Sequence, residues 1–194
     1  MKAGLKEEKS ALRKELLYKR ASVSFEKKTQ AEKSIVSRFL SLASFRFAND
    51  VLLYYPIKGE VDVLPIFTAA IQAGKRVAFP LCNSESSTMT YHYVSSLDEL
   101  QKGSYGISEP CKDAELYVPS KEKHDIIIVP AVCFDKDGYR IGYGKGYYDR
   151  YLNDFGGTVI GVAMSDFILP SLPKGRYDKS VDLILTEKGA FSVI

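Results

Sequence analysis

The stretch FDKDGYRIGYGKGYYDRYL, residues 134–152, holds the chain's most unusual chemistry: glycines at 138, 142, 144 and 146, Lys145 among them, and an aromatic run that begins at Tyr147. Glycine at alternate positions costs backbone entropy, so a chain keeps it where φ must be positive or where something must approach the main chain closely. A strand, a glycine-rich loop and a helix start in succession expose main-chain N–H groups and the positive end of a helix dipole, which suit a phosphate. Lys145 adds a mobile cation. Four acids nearby, Asp135, Asp137, Asp149 and Asp154, point to a nucleotide with a metal.

Two familiar phosphate-binding layouts do not fit. The P-loop requires Ser or Thr after its lysine, whereas Lys145 is followed by Gly146. The dinucleotide spacing G-x-G-x-x-G fails as well, because Gly142, Gly144 and Gly146 read G-x-G-x-G. The same physics in a different layout and a glycine-rich turn kept only for its geometry both remain open at this point.

The elements that must carry this loop can be read from periodicity. Residues 5–20 form an amphipathic helix with Leu5, Leu12 and Leu16 on one stripe and Lys9, Arg13 and Arg20 along a neighbouring face. Two cations four residues apart can grip one phosphate. Ser24 reads as the N-cap of a second helix through about Ala43, buried along Ala31, Ile35, Phe39 and Leu42. DVLLYYPI at 50–57 reads as a strand, VLPIFTAAIQAG at 63–74 as a helix closed by Gly74, and KRVAFPLC at 75–82 as the next strand. A helix between strands implies a crossover and parallel pairing. TMTYHYV at 89–94 alternates as a strand, residues 103–123 read as loop, and DIIIVPAVCF at 125–134 is apolar enough to be the centre of the sheet. TVIGVAM at 158–164 and SVDLILT at 180–186 complete the strands. The predicted fold is a single α/β domain over residues 1–194: an open, mostly parallel, Rossmann-like three-layer α/β/α sandwich with the N-terminal helices packed on the sheet. In such sheets ligands lie beyond the carboxyl ends of the strands.

Charge narrows the partners. The net charge is +3, yet residues 1–33 carry ten Lys/Arg against five Glu, which leaves the rest of the chain net negative. A nucleic-acid footprint would need a basic face, and the body of the chain does not provide one. No apolar run reaches the roughly 18–20 residues of a membrane span, and the charged start lacks a signal-peptide core. The expectation is a cytoplasmic monomer that binds small molecules, with no nucleic acid and no membrane. Cys82, Cys111 and Cys133 are odd in number and widely spaced, which argues against a disulfide frame or a zinc site.

Taken together, K-x-x-L-R (Lys9, Leu12, Arg13), YYPIKGEVD with Glu60, GKRVAFP, Met89, GISEP at 106–110, VPAVCFDKDGYRIGYGKGYYDRYL and the closing VDLILTE resemble the 5-formyltetrahydrofolate cyclo-ligase (5,10-methenyltetrahydrofolate synthetase) family over most of the chain. The resemblance implies conversion of 5-formyltetrahydrofolate to 5,10-methenyltetrahydrofolate, with ATP as co-substrate, Mg²⁺ as cofactor, and release of ADP and phosphate. Carried onto this sequence, it places ATP on Lys9, Arg13, Arg140, Ile141, Gly142, Tyr143, Gly144, Lys145, Gly146, Tyr147 and Tyr148. It places the folate on Tyr55, Glu60, Met89 and Tyr148, and magnesium on Asp149 and Asp178.

The chemistry fits that implication. A formamide is resonance-stabilised, so ring closure by N10 requires the formyl oxygen to become a leaving group, and phosphorylation achieves this. Lys145 and Arg13 are the expected catalytic cations, because phosphoryl transfer asks the protein for positioning and charge neutralisation. Two competing readings use the same loop: a nucleotide- or phosphate-binding module without turnover, and a sugar-phosphate enzyme on a similar scaffold.

Overall fold

The structure is a computed structural model that describes residues 2–57, 59–120 and 124–193. Lys58 of the YYPIKGEVD turn and the end of the predicted 103–123 loop lie outside the described residues.

Two helices open the chain, α1 (Lys2–Ala21) and α2 (Phe25–Leu40). Ser24 caps α2 as predicted, its hydroxyl accepting from Lys27 N. The helix ends earlier than predicted, because the extended backbone of Leu42 (ψ 137) breaks the run and starts the short α3 (Ala43–Phe47). Leu42 therefore leaves the α2 stripe, which buries Ala31, Ile35 and Phe39.

Next come β1 (Asp50–Leu52), α4 (Leu64–Gln72), β2 (Arg76–Asn83) and β3 (Thr88–Tyr93). The predicted strand 50–57 pairs only as far as Leu52, with Leu53 N giving a last bond to Ala78 O at 2.9 Å before Pro56 turns the chain away. Gly74 closes the α4 turn with φ +73. The region predicted as loop holds a small ribbon, β4 (Gln101–Lys102) against β5 (Ser108–Glu109).

Then follow β6 (Ile126–Val129), β7 (Cys133–Asp135), β8 (Arg140–Ile141), α5 (Tyr147–Tyr151), β9 (Thr158–Val162), β10 (Ile168–Leu169), β11 (Leu183–Thr186) and β12 (Gly189–Ser192). The predicted strand 125–134 is in fact two. Pro130 has no N–H to continue the ladder, so β6 stops at Val129 and β7 joins a separate three-stranded sheet, β10-β7-β8.

The main sheet runs β12-β11-β9-β6-β1-β2-β3, parallel from β11 to β2 with antiparallel edges. β6 is its centre, as its composition predicted, and all four of its residues are buried. Side chains alternate across the sheet. Val51, Ile126, Ile128 and Ile160 meet Ile35, Phe39 and Ile66 on one face, while Leu52, Ile127 and Val129 meet Leu16, Phe134, Ile141 and Leu152 on the other. This is the mostly parallel α/β architecture the sequence predicts. No helix among the described residues is long and apolar enough to cross a membrane.

Candidate functional site

The glycine loop joins β8 to α5. Gly144 (φ +95) and Gly146 (φ +69) occupy backbone that a side chain would strain, so the alternate glycines are required by geometry on both sides of Lys145. The N–H groups of Tyr147, Tyr148 and Asp149 precede the first bond of α5, Arg150 N to Gly146 O at 3.2 Å, which leaves them unused within the helix. The helix is only five residues long, so its dipole is small and the loop's donors and cations must carry most of the attraction for an anion.

Four predicted cations surround or belong to this loop, and they differ in what already holds them. Lys9 pairs with Asp178. Arg13 Nε donates to Gly142 O at 2.6 Å. Arg140 is buried, donating to Lys179 O at 2.9 Å and to Asp149 Oδ1 at 3.0 Å. Burial lowers its pKa, and the Asp149 charge opposes that shift. Lys145 is exposed and pairs with no carboxylate among the described residues; its ammonium stands 5.9 Å from the centre of the Tyr105 ring.

Other predicted residues contribute through backbone or packing. Ile141 is buried, and its carbonyl accepts from Val132 N at 2.7 Å. The Tyr147 hydroxyl meets that of Tyr105 at 3.2 Å, and this pairing pushes the Tyr147 phenol up to about 12. Tyr91 donates to the Tyr148 hydroxyl at 3.4 Å, and Met89 packs into the same apolar cluster as Tyr148. Tyr55 packs into the cluster on the other face. It is Tyr54, buried and donating to Val61 O at 2.7 Å, that shares an electrostatic environment with Glu60.

Glu60 is 5% exposed, and its Oε2 accepts from Ile57 N at 2.9 Å. Burial pushes its carboxyl up to about 7, opposed by the Ile57 hydrogen bond, the Arg20 charge and the Tyr143 phenol. Beside it lies a cavity of about 10 Å³ lined by Arg20, Tyr54, Ala131, Ala163 and Phe167, just past the carboxyl ends of β1, β6 and β9. A wider groove of about 560 Å³, between Phe47, His124 and Asp182, sits at the opposite, amino-terminal edge of the strands.

The acids near the loop divide by role. Asp135 is fully buried, its Oδ1 accepting from Asp137 N and Tyr139 N and its Oδ2 from Leu172 N, so it organises the turn that leads into β8. Asp137 pairs with Lys174, and Asp154 is exposed beside Asn153. Asp149 and Asp178 each keep one carboxylate oxygen without a hydrogen bond among the described residues, the other being engaged by Arg140 or by Lys9 and Gly175 N. No group of three potential ligands is present among the described residues. Each carboxylate thus has one open oxygen of the kind magnesium takes, while a protein cation, Arg140 or Lys9, already engages the other.

Arg20 is the functional candidate that sequence reading left without a role. It is 8% exposed, and its Nη2 donates to Ala131 O at 2.5 Å and Val132 O at 2.6 Å. Its place on the Lys9–Arg13 face of α1 was the available signal.

A mostly parallel sheet with a cation-lined glycine loop defines an α/β protein with a loop suited to an anion. A model of the 5-formyltetrahydrofolate cyclo-ligase family matches residues 5–187, and the chain belongs to that family of enzymes. It is similar to the NMR structure of the 5,10-methenyltetrahydrofolate synthetase of Aquifex aeolicus, with 38% identity and a TM-score of 0.83 over 95% of this chain and 92% of that one. It is also similar to a 5,10-methenyltetrahydrofolate synthetase from Mycoplasma pneumoniae, with 28% identity and a TM-score of 0.74 over 92% and 98%. The 5-formyltetrahydrofolate cyclo-ligase of Haemophilus influenzae is 28% identical over 89% of this chain and 94% of its own length.

Proposed function

We propose that the chain, acting as a single α/β domain and a cytoplasmic monomer, uses ATP and Mg²⁺ to cyclise 5-formyltetrahydrofolate to 5,10-methenyltetrahydrofolate. The formyl oxygen attacks the γ-phosphorus of ATP, the bond to the β-phosphate oxygen breaks, and ADP leaves. N10 then attacks the formyl carbon, the carbon–oxygen bond of the imidate phosphate breaks, and phosphate departs with the former formyl oxygen while N10 loses its proton.

The observation that carries this reading is the contrast among the loop cations. Lys9, Arg13 and Arg140 are tied to protein acceptors, whereas Lys145 has none among the described residues, and it stands between two positive-φ glycines. A free ammonium beside exposed N–H groups can follow charge as it moves onto a transferring phosphoryl group without first losing a partner. Arg13 steadies the loop through Gly142 O. Asp149 and Asp178 would hold magnesium, which supplies charge neutralisation at the phosphate oxygens when bound. Glu60 receives the pterin's N–H donors, since a buried carboxylate with a single backbone bond gains strongly from further donors. Tyr148 and Met89, which share one apolar cluster, and Tyr55 would supply the remaining folate contacts.

The test is a spectrophotometric assay for the methenyl product from 5-formyltetrahydrofolate, with and without ATP, alongside ADP release. Product only with ATP supports the reading. ATP binding without turnover would make the chain a binding module, and turnover of a sugar phosphate without ATP would make it an enzyme of another class.

A further inference from the structure

Arg20 comes from the last turn of α1, and its stem lies across Gly59, where a Cβ would come within 2.9 Å of its Cδ. Gly59 holds φ +87, so the residue before Glu60 is shaped to let this side chain through. The guanidinium grips the Ala131 and Val132 carbonyls, stands 5.4 Å from the centre of the Phe167 ring, and donates through Nη1 to the Tyr143 hydroxyl at 3.4 Å. No direct ion pair joins it to Glu60 among the described residues. Tyr143 neighbours both, its phenol accepting from Arg20 and interacting electrostatically with the Glu60 carboxylate.

We propose that Arg20 is a positioning residue for the reaction, which acts through Tyr143 of the glycine loop to keep Glu60 charged and aimed at the folate. The proposal rests on the reading of Glu60 as a folate contact.

Titratable groups face Glu60 from several elements. α1 presents Arg20, α2 presents Lys28, the segment after β1 presents Tyr54, the glycine loop presents Tyr143, and α5 presents Tyr148. Asp62 is turned away to accept from Leu64 N at 3.0 Å. Of the two cations, Lys28 is already paired with Glu32. Arg20 spends its contacts on neutral oxygens, so its charge is the one left to balance the buried carboxylate. A carboxylate held by burial at about 7 is balanced between its two forms at neutral pH, where one nearby charge decides which prevails.

The full chain should be titrated by carbon-13 NMR of glutamate carboxyls, with Glu60→Gln identifying the Glu60 signal. Arg20→Met keeps the stem and removes the charge, and Tyr143→Phe removes only the link. In both variants the Glu60 midpoint should rise by about one unit. The folate KM should then rise about fivefold at pH 7 and return close to the wild-type value near pH 9, with a smaller change in the ATP KM. Arg20→Lys should restore the pH profile in part. Should Arg20→Met fail to fold, Tyr143→Phe alone decides. A Glu60 midpoint that does not move in Tyr143→Phe overturns the inference. A midpoint that moves while the folate KM stays at the wild-type value at every pH leaves the proton linkage standing and overturns Glu60 as a folate contact instead.

Discussion

Arg13 and Gly142 are 129 residues apart in sequence, yet the Arg13 Nε–H donates to the Gly142 carbonyl at 2.6 Å. The guanidinium also lies 3.5 Å from where a Cβ on Gly144 would be. The first helix thus clamps the loop from outside. Arg13→Ala should raise the KM for ATP by about 10-fold, in line with a lost charge-assisted hydrogen bond, and the folate KM by much less. Steady-state kinetics with each substrate varied checks this; equal changes in both constants would reduce Arg13 to scaffold.

Lys145 should reveal itself in turnover. Because its ammonium pairs with no carboxylate among the described residues, its contribution belongs to the transition state more than to bound ATP, and Lys145→Ala should lower kcat by about 100-fold or more. ATP affinity should fall less. Lys145→Arg should rescue only in part, since a planar fork does not occupy the place of a point charge. A folded Lys145→Ala protein with wild-type kcat would remove the loop from catalysis.

Glu60 links stability to pH in a direction opposite to most acids. Its carboxyl sits at about 7 in the fold against an ordinary value of 4.5, so the folded chain holds a proton that the unfolded chain has released between those values. Stability from this group is fully present below about pH 4.5, declines as pH rises toward 7, and levels off above it, a loss on the order of 3 kcal/mol. Glu60→Gln should raise the melting temperature at pH 8, leave it nearly unchanged at pH 4.5, and weaken folate binding. Calorimetry at the two pH values reads the first effects, and titration with 5-formyltetrahydrofolate reads the last.

Gly161 on β9 faces the fully buried Phe134 ring, and a Cβ there would lie 2.5 Å from two ring carbons. Both partners are confined by the core, so Gly161→Ala should cost about 1–3 kcal/mol. Urea unfolding should show a lower midpoint with an unchanged slope; an unchanged midpoint would mean that the ring has room to move.

Local signals were readable where local chemistry decides the outcome. Ser24 announces its cap, Gly74 its helix end, and the run from Ile126 to Val129 its central place, because each depends on side-chain type and near neighbours. Asp135 counts in the sequence only as one of four acids near the loop, whereas its fate as a buried turn organiser depends on Leu172 arriving from 37 residues away. Likewise, Pro130 could be seen in the sequence, but the third strand of the second sheet comes from β10 returning to pair with β7. Glu60 stands out in sequence only through the resemblance, since its burial depends on α1 and the glycine loop closing over it. Arg20 was placed on the right helical face, yet its partners Ala131, Val132 and Tyr143 all lie more than 100 residues downstream.

The aromatic lining beside the glycine loop has an optical consequence. The chain has no tryptophan, so its ultraviolet emission comes from tyrosine alone. The rings of Tyr91 and Tyr151 stand 4.9 Å apart, Tyr151 and Phe155 follow at 6.2 Å, and the Tyr148 hydroxyl touches that of Tyr91. Tyrosine rings this close pass excitation among themselves, so a pterin bound against Tyr148 as proposed would drain light from the group. On the proposed reading, the unlabelled protein would carry its own reporter of site occupancy, one that stopped-flow fluorescence can follow before any bond is made or broken.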